Sequence, residues 1–332
     1  MCQSLEHYRA NPCPPPCEDN SDLDQDWPII SIPAIDGTVV EARLKTGLVT
    51  PGDKKNTEFV LMSPYLHYRS FQQLRNDILT SSVSPEWAYC PTRLTYPMKR
   101  RRTHTGKFLD SFKREAPEAV LDAFQLGVSQ WEGSPDYRRL RELLDAVLPP
   151  RVNKIVAFAC FTMTVKSEQL RTVFQHTMVL TMLNILQRRR LDERQPEIQC
   201  FAQDPFYTDT DEEILGQAGV TVVQDPRGFL EVDDQTVVIS FSPDAPIRQI
   251  IADIARPAVL IWDRVTGEDN DAECYSDPES PRLWTMIQNH YDAVTNLESG
   301  EMFGDAVVYI RLAGSRASLL YEDKCGIARE PQ

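Results

Sequence analysis

Four strand-like runs between residues 154 and 262 constrain this chain most: KIVAFA, EIQCFA, TVVISF and AVLIW. Each breaks into a polar or turn-forming tip, CFTMT, QDPFYT, SPDAP and DRV respectively. Long helical patterns separate some of the runs. Strand, polar tip and helix in alternation predict an α/β fold, an open, mostly parallel sheet flanked by helices. In such sheets ligands bind outside the carboxyl ends of the strands, so the tips mark where a site would lie.

The 332 residues exceed the roughly 250–300 at which a single core stops growing. The expected organisation is an acidic, proline-rich tail over residues 1–26, a hairpin and helical extension over 27–133, and the sheet domain over 134–325. The formal net charge of −14 argues against nucleic acid or an anionic membrane as a general partner, since both repel an acidic surface. Of 8 cysteines, Cys160 and Cys200 sit in apolar runs and read as small buried hydrophobes. Cys13 and Cys17 bracket three prolines, but no second pair completes a metal set. With no disulfide-like spacing, no secretory pattern and no run of about 18 apolar residues, the expectation is a cytoplasmic protein that carries no metal.

Along the chain, PIISIPAIDGTVVEARL predicts a hairpin turning at Asp36-Gly37. Phe71, Leu74, Arg75 and Ile78 predict a helix from about residue 68 to 79. Residues 84–107 read as an irregular loop, and their basic run over 99–107 as a solvated charge cluster paired with the protein's own acids, with a nuclear address or an anion patch as the alternatives. Helices are expected over 116–128 and 134–147, the second capped by Ser134 with Pro135 next. Ser167 is the expected cap of a long helix to about Arg190 that is apolar nearly all round. Gln-Asp-Pro occurs at 203–205 and again at 224–226, both read as strand-ending turns. Pro246 opens a helix with Ile247, Ile250, Ile251 and Ile254 inward. A surface loop over 266–281, a helix over 282–297 and two strands, DAVVYIRL and ASLLYE, follow.

These phrases, above all KIVAFAC, QHTMVLTMLNIL, CFAQDPFYTDTDEEIL and the stretch from GVTVVQDP to VLIWDRV, make residues 138–265 resemble the sensitivity-to-red-light-reduced-like domain, in its fungal branch. The resemblance implies a Rossmann-like α/β domain. Relatives in plants are tied to light signalling and the clock, and relatives in animals to haem regulation; many fungal relatives carry no assigned activity. The fungal pattern places glycine and small polar residues after the first-strand cysteine. This chain has Cys160-Phe161-Thr162-Met163-Thr164 instead. A glycine there lets a backbone approach a phosphate, so the substitution speaks against a nucleotide or adenosyl-methionine cofactor.

A dinucleotide or adenosyl-methionine enzyme also wants an acid at the end of the second strand, about 20 residues on. Asp204 ends that strand but lies much further away. Hydrolysis lacks a Gly-x-Ser-x-Gly elbow. His176 shares a helix face with Val173, Val179 and Leu180 and reads as a core histidine. The remaining pattern is a mainly apolar crevice with convergent polar groups. Phe161, Met163, Thr164, Gln203, Phe206, Ser242, Trp262 and Asp263 line it. Asp204, Tyr207 and Thr162 supply a base and hydrogen-bond donors. This suits a cofactor-independent cyclase or isomerase, including a cycloaddition enzyme, acting on a small hydrophobic intermediate of fungal secondary metabolism. The competing readings are a regulatory module that binds a protein partner without turnover, and a nucleotide- or adenosyl-methionine-dependent enzyme.

Overall fold

The computed structural model describes residues 27–80, 84–110, 112–190, 197–267, 276–297 and 300–313. The chain divides into two compact units, Met1–Lys113 and Arg114–Gln332. The tail over 1–26, residues 268–275 of the 266–281 loop and the strand expected at ASLLYE fall outside the described residues.

The first unit is built from short antiparallel pairings. Strands β1 (Ile29–Pro33) and β2 (Val39–Arg43) form the expected hairpin. Gly37 at its tip has φ +88, a conformation glycine adopts without steric cost. Ile30, Ile32, Val40 and Ala42 alternate inward with Leu66 and Cys90. Strands β3 (Val49–Pro51) and β4 (Thr57–Leu61) belong to a three-stranded sheet, and β5 (Tyr65–Tyr68) belongs to a separate pair. Helix α1 (Phe71–Thr80) follows, then the short α2 (Pro85–Ala88). Leu74 and Asp77 are its inward residues, while Phe71 and Ile78 lie exposed; Asp77 is held by Arg69 at 2.7 Å and Arg93 at 2.6 Å. Residues 84–107 are not an irregular loop. They supply β6 (Thr92–Thr95), which pairs with β5, and β7 (Met98–Arg102), which pairs with β4. The basic run is that edge strand. Arg100 pairs with Asp53 at 2.7 Å and Arg101 with Glu58 at 2.5 Å, so local acids absorb part of its charge.

The second unit opens with α3 (Pro117–Gly133) and α4 (Pro135–Val147). Helix α3 packs on the long helix of this unit. Ser134 caps α4, accepting from Tyr137 N at 3.1 Å. Strand β8 (Lys154–Phe158) leads into α5 (Gln169–Arg189). Its N-cap is Glu168, not Ser167. The helix buries residues on several sides, and its interior threonines return their hydroxyls to backbone carbonyls, Thr181 to Thr177 at 2.8 Å. Arg189 does more than meet its own helix's dipole; it donates to Leu148 O at the end of α4 at 2.9 Å.

Next come β9 (Gln199–Gln203), α6 (Asp209–Gln217), β10 (Thr221–Val222), the short α7 (Arg227–Glu231), β11 (Thr236–Ser240), α8 (Ile247–Ile254) and β12 (Val259–Asp263). In α8 Arg248 and Gln249 are buried beside Ile247 and Ile251, whereas Ile254 is exposed. The helix expected over 282–297 stops early: α9 (Pro281–His290) gives way to β13 (Tyr291–Asn296). A single turn, α10 (Gly300–Phe303), precedes β14 (Ala306–Arg311).

The seven strands run in the order β10-β9-β8-β11-β12-β14-β13. The first five are parallel, and β14 runs antiparallel to both neighbours. This is the expected open, mostly parallel sheet of a Rossmann-like fold. Both faces are covered, so β11 is buried at every position, as continuous apolar strands of a parallel sheet should be. On one face α3, α4, α5, α6 and α10 close over Ile155, Ala157, Val237, Ile239 and Ile261. On the other, Phe229 of α7 stacks on Phe158 with centroids 4.7 Å apart. The chain leaves β8 toward β9 and β10, then crosses back to β11. The carboxyl ends of β8 and β11 therefore flank the topological switch point, the usual ligand position.

Candidate functional site

Three of the four described non-glycine residues with positive φ lie at those ends: Ala159 (55), Phe161 (58) and Ser242 (46). Such residues cost about 1–3 kcal/mol each and persist only where surroundings fix them. At the first turn the fixing groups are two aspartates. Asp204 accepts from Phe161 N and from Phe206 N, both at 2.8 Å. The second bond is the aspartate turn expected of Asp204-Pro205. Asp211, fully buried on α6, accepts from Met163 N at 2.8 Å and Thr162 Oγ1 at 2.6 Å. It also completes a capping box with Thr208, accepting from Thr208 N at 2.9 Å. Sequence reasoning missed Asp211; the Thr-x-x-Asp spacing at the helix start was its only signal.

These bonds decide what the first turn can do. Thr162, Met163 and Thr164 lie in the interior, at 0, 0 and 3% exposure, and line no open crevice. The Thr162 hydroxyl is committed to Asp211. His176 Nδ1 meets the carbonyl of Thr172 at 2.7 Å, so Nδ1 carries the proton and Nε2 accepts from Tyr207 Oη at 2.8 Å. Burial pushes the His176 pKa down and holds the ring neutral. Tyr207 thus donates to a core histidine rather than outward. Neither expected donor, Thr162 or Tyr207, has a free proton for a ligand. Cys160 and Cys200 are buried free thiols, and burial pushes both up, Cys200 to about 12. Gln203 is occupied too: Oε1 accepts from Gly228 N, and Nε2 donates to Asp225 Oδ1 at 3.2 Å. The two Gln-Asp-Pro turns are tied together through this side chain.

What stays near the surface at β8 and β9 is an aromatic pair over a buried acid. Phe161 and Phe206 are tilted with centroids 5.0 Å apart, and Phe206 is 40% exposed. Burial raises the Asp204 pKa to about 6, against the two backbone bonds that lower it.

The cavity lies further along, at the carboxyl ends of β11 and β12. Its volume is about 400 Å³, and Ser242, Asp244 and Asp263 line it with residues 276–279, Arg248, Arg264 and Asp305. Trp262, expected here, is wholly buried beneath. Asp263 Oδ1 is buried without a hydrogen-bond partner. Burial raises the Asp263 pKa, and Arg248 and Ser242 oppose the rise. Arg248, 7% exposed, clamps the site. Its Nε meets Asp277 Oδ2 at 3.1 Å, NH1 meets Asp263 O at 3.3 Å, and NH2 meets Asp277 O. Burial raises Asp277 to about 6 despite Arg248. Asp244 joins the two regions, since its charge helps raise Asp204. The sequence reading placed Ser242 and Asp263 here but missed Arg248 and Asp277, because one stood in an isoleucine-rich helix and the other in an apparent surface loop. The lining is acidic rather than apolar.

A nucleotide on the first turn finds little to hold it. The acid expected on a ribose already receives two main-chain N–H groups, the N–H groups of Phe161 and Met163 are taken, and Phe161 stands where close approach needs glycine. Among the described residues, no group of three or more His, Cys, Asp or Glu is arranged to hold a metal ion.

A family model described as the SRR1 domain matches residues 140–310, more than half of the chain. The chain belongs to the SRR1 domain family. That match spans β8 to β14, so both Asp204 and the Asp263 cavity are part of the SRR1 domain. No curated protein matches the chain. One solved structure, described as a candidate O-methyltransferase from Klebsiella pneumoniae, is similar at 13% identity over 58% of this chain and 90% of its own, with a TM-score of 0.34. No helix among the described residues is long and apolar enough to cross a membrane.

Proposed function

We propose that this SRR1 domain is a cofactor-independent enzyme of the isomerase or cyclase type, acting on a small metabolite in the cavity at the ends of β11 and β12. The observation that carries the reading is Asp263: a partly buried carboxylate whose pKa burial raises, lining the cavity on the ligand side of the sheet beside Ser242. Titratable groups perturbed by burial in a cleft are candidates for proton transfer. Asp263 takes a proton from an activated carbon of the substrate and returns it at another atom of the same molecule. Electrons stay within the substrate, so the step balances without a redox partner. Ser242 donates a hydrogen bond to charge that develops on the way. A positioned base of this kind contributes about 10²–10⁴-fold. The charged side chains of the lining favour a polar substrate over the hydrophobic one expected from sequence.

The test is incubation with fractionated metabolite extracts in heavy water. The expected result is a product of unchanged skeleton carrying deuterium, lost in Asp263→Asn and kept in Tyr207→Phe. Product formation that survives Asp263→Asn would sink the assignment. The regulatory reading draws on the exposed Phe161–Phe206 pair, a surface suited to a protein partner. Absence of turnover, with a complex broken by Phe206→Ser, would favour it.

A further inference from the structure

The basic strand of the first unit has no part in the cavity chemistry. Residues 45–107 hold 11 Lys and Arg against 4 Asp and Glu, in a chain whose formal charge is −14. Ion pairs neutralise only part of that excess. Asp53 takes Arg100, Glu58 takes Arg101, and Asp77 takes Arg69 and Arg93. Lys54, Lys55, Lys99, Arg102 and Lys107 are exposed, with no side-chain partner among the described residues.

The backbone gathers four of these cations. Arg102 pairs across the sheet with Thr57, and Thr57 N donates to Lys54 O at 3.2 Å in the turn that carries Lys54 and Lys55. Arg102 N donates to Lys107 O at 3.0 Å. Lys54, Lys55, Arg102 and Lys107 thus share one end of the β4–β7 ladder. Lys99, opposite Val60, stands toward the other end. Like charges grouped in this way repel one another. Pairing with β4 keeps the run from lying free as a peptide, and an anion patch is a role that a paired strand still serves.

The same unit supplies an anion in its sequence. Residues 18–26, EDNSDLDQD, hold five carboxylates and no Lys or Arg. They join the described chain at Trp27, and backbone bonds lead from there to β7. Pro28 O accepts from Leu44 N at 2.7 Å, Gly47 N donates to Leu61 O at 2.7 Å, and Leu61 pairs with Met98 at the start of β7. Nine residues in extended form would span about 30 Å, enough to run past Met98 toward Arg102. A tether also keeps the effective concentration in the millimolar range, so weak ion pairs suffice. A polyanion from outside has no tether and meets the acidic remainder of the protein.

We infer that residues 18–26 dock along β7 as an internal anion, with Asp22 and Asp24 toward Lys99 and with Glu18 and Asp19 toward the cluster of Lys54, Lys55, Arg102 and Lys107. An outside polyanion must then compete with the segment for this face. The inference is independent of the cavity at β11 and β12.

The experiment is zero-length carbodiimide cross-linking of the full chain, read by peptide mass spectrometry. Links within one chain should join the carboxylates of Glu18, Asp19, Asp22 and Asp24 to Lys54, Lys55, Lys99 and Lys107. Raising salt from about 0.01 to about 1 M cuts the screening length from about 30 to about 3 Å and should reduce these links at least about fivefold. Arg102→Gln should weaken the links to Lys54 and Lys107. Lys166, exposed in the other unit, should carry none. A second readout needs no cross-link. Replacing all five acids by their amides, which alters no described residue, should speed acetylation of Lys99 and Lys107 at least about twofold and leave Lys166 unchanged. Links found only in dimers would give the face to a second copy. Protection of these lysines by an oligonucleotide, without tail links, would give it to nucleic acid. Either result overturns the inference, as would tail links of equal yield on Lys166 or acetylation indifferent to the five amides.

Discussion

Asp211→Ala is the substitution whose effect the structure specifies best. The carboxylate is fully buried and takes four hydrogen bonds, from Thr162 Oγ1 at 2.6 Å, Met163 N at 2.8 Å, Thr208 N at 2.9 Å and Thr208 Oγ1 at 2.8 Å. Their replacements differ. Thr208 is half-buried and can turn to water, losing mainly its part in the helix cap, about 0.5–2 kcal/mol. The Thr162 hydroxyl can turn to Thr164 Oγ1, already 2.8 Å away. Met163 N has no alternative, and a buried donor left alone costs about 1–3 kcal/mol. With the lost charge-assisted bonds, the expected destabilisation is about 3–5 kcal/mol. At about 2–4 °C per kcal/mol for a unit of this size, Tm should fall by roughly 6–20 °C. Asn should recover less than half of this, because its NH2 meets donors. Urea unfolding and calorimetry provide the measurement, with exposed Asp209→Ala, in the first turn of the same helix, as the control. A double-mutant cycle with Thr162→Val should show coupling above about 1 kcal/mol. If Asp211→Ala costs no more than Asp209→Ala, or the cycle is additive, Asp211 does not hold the first turn in place.

Gly127→Ala should destabilise by about 1–3 kcal/mol in denaturant melts, since the new Cβ would lie 2.2 Å from Val173 Cγ1 where α3 crosses α5; Val173→Ala should relieve the clash, and a neutral Gly127→Ala would refute the crossing geometry. Tyr207→Phe strips the donor from His176 Nε2 and should cost about 1–3 kcal/mol, with the histidine remaining the Nδ1–H tautomer in nitrogen NMR. The Asp204 carboxyl should titrate near 6 rather than at the unfolded value of about 3.9. Its folded pKa is raised, so its contribution is fully present below about pH 4 and is lost as pH rises through 6, by about 3 kcal/mol; carbon NMR of the carboxyl checks the midpoint, and a value near 4 would contradict its burial. Arg101→Ala should cost about 1–2 kcal/mol in urea unfolding, since both members of its pair with Glu58 are only about 20% exposed.

Several parts of this protein were written in local chemistry. Asp36-Gly37 between alternating apolar runs is enough for a hairpin, because the turn's positive φ and the period of two need no distant partner. Ser134-Pro135 starts a helix, and Thr208 with Asp211 starts another, for the same reason: the capping atoms lie within three residues. The continuous apolar runs of β8, β11 and β12 declare strands covered on both faces. Where local rules misled, packing decided. Met98–Arg102 is poor strand material alone, yet β4 gives it cross-strand partners in Glu58 and Phe59. Tyr291–Asn296 continued a helical pattern until β14 offered it an edge.

The candidate site divides on the same line. The sequence by itself determined that polar groups gather at the carboxyl ends of a parallel sheet, since each strand carries its tip with it. Only the tertiary structure decided which of them face a ligand. Thr162 and Tyr207 found internal acceptors on α6 and α5, and Met163 and Trp262 turned into the core. Arg248 and Asp277, distant in sequence and ordinary in composition, met at the end of β12. Hydrogen-bond partners and burial depend on what folds back against a residue, and that is fixed by contacts no local window contains.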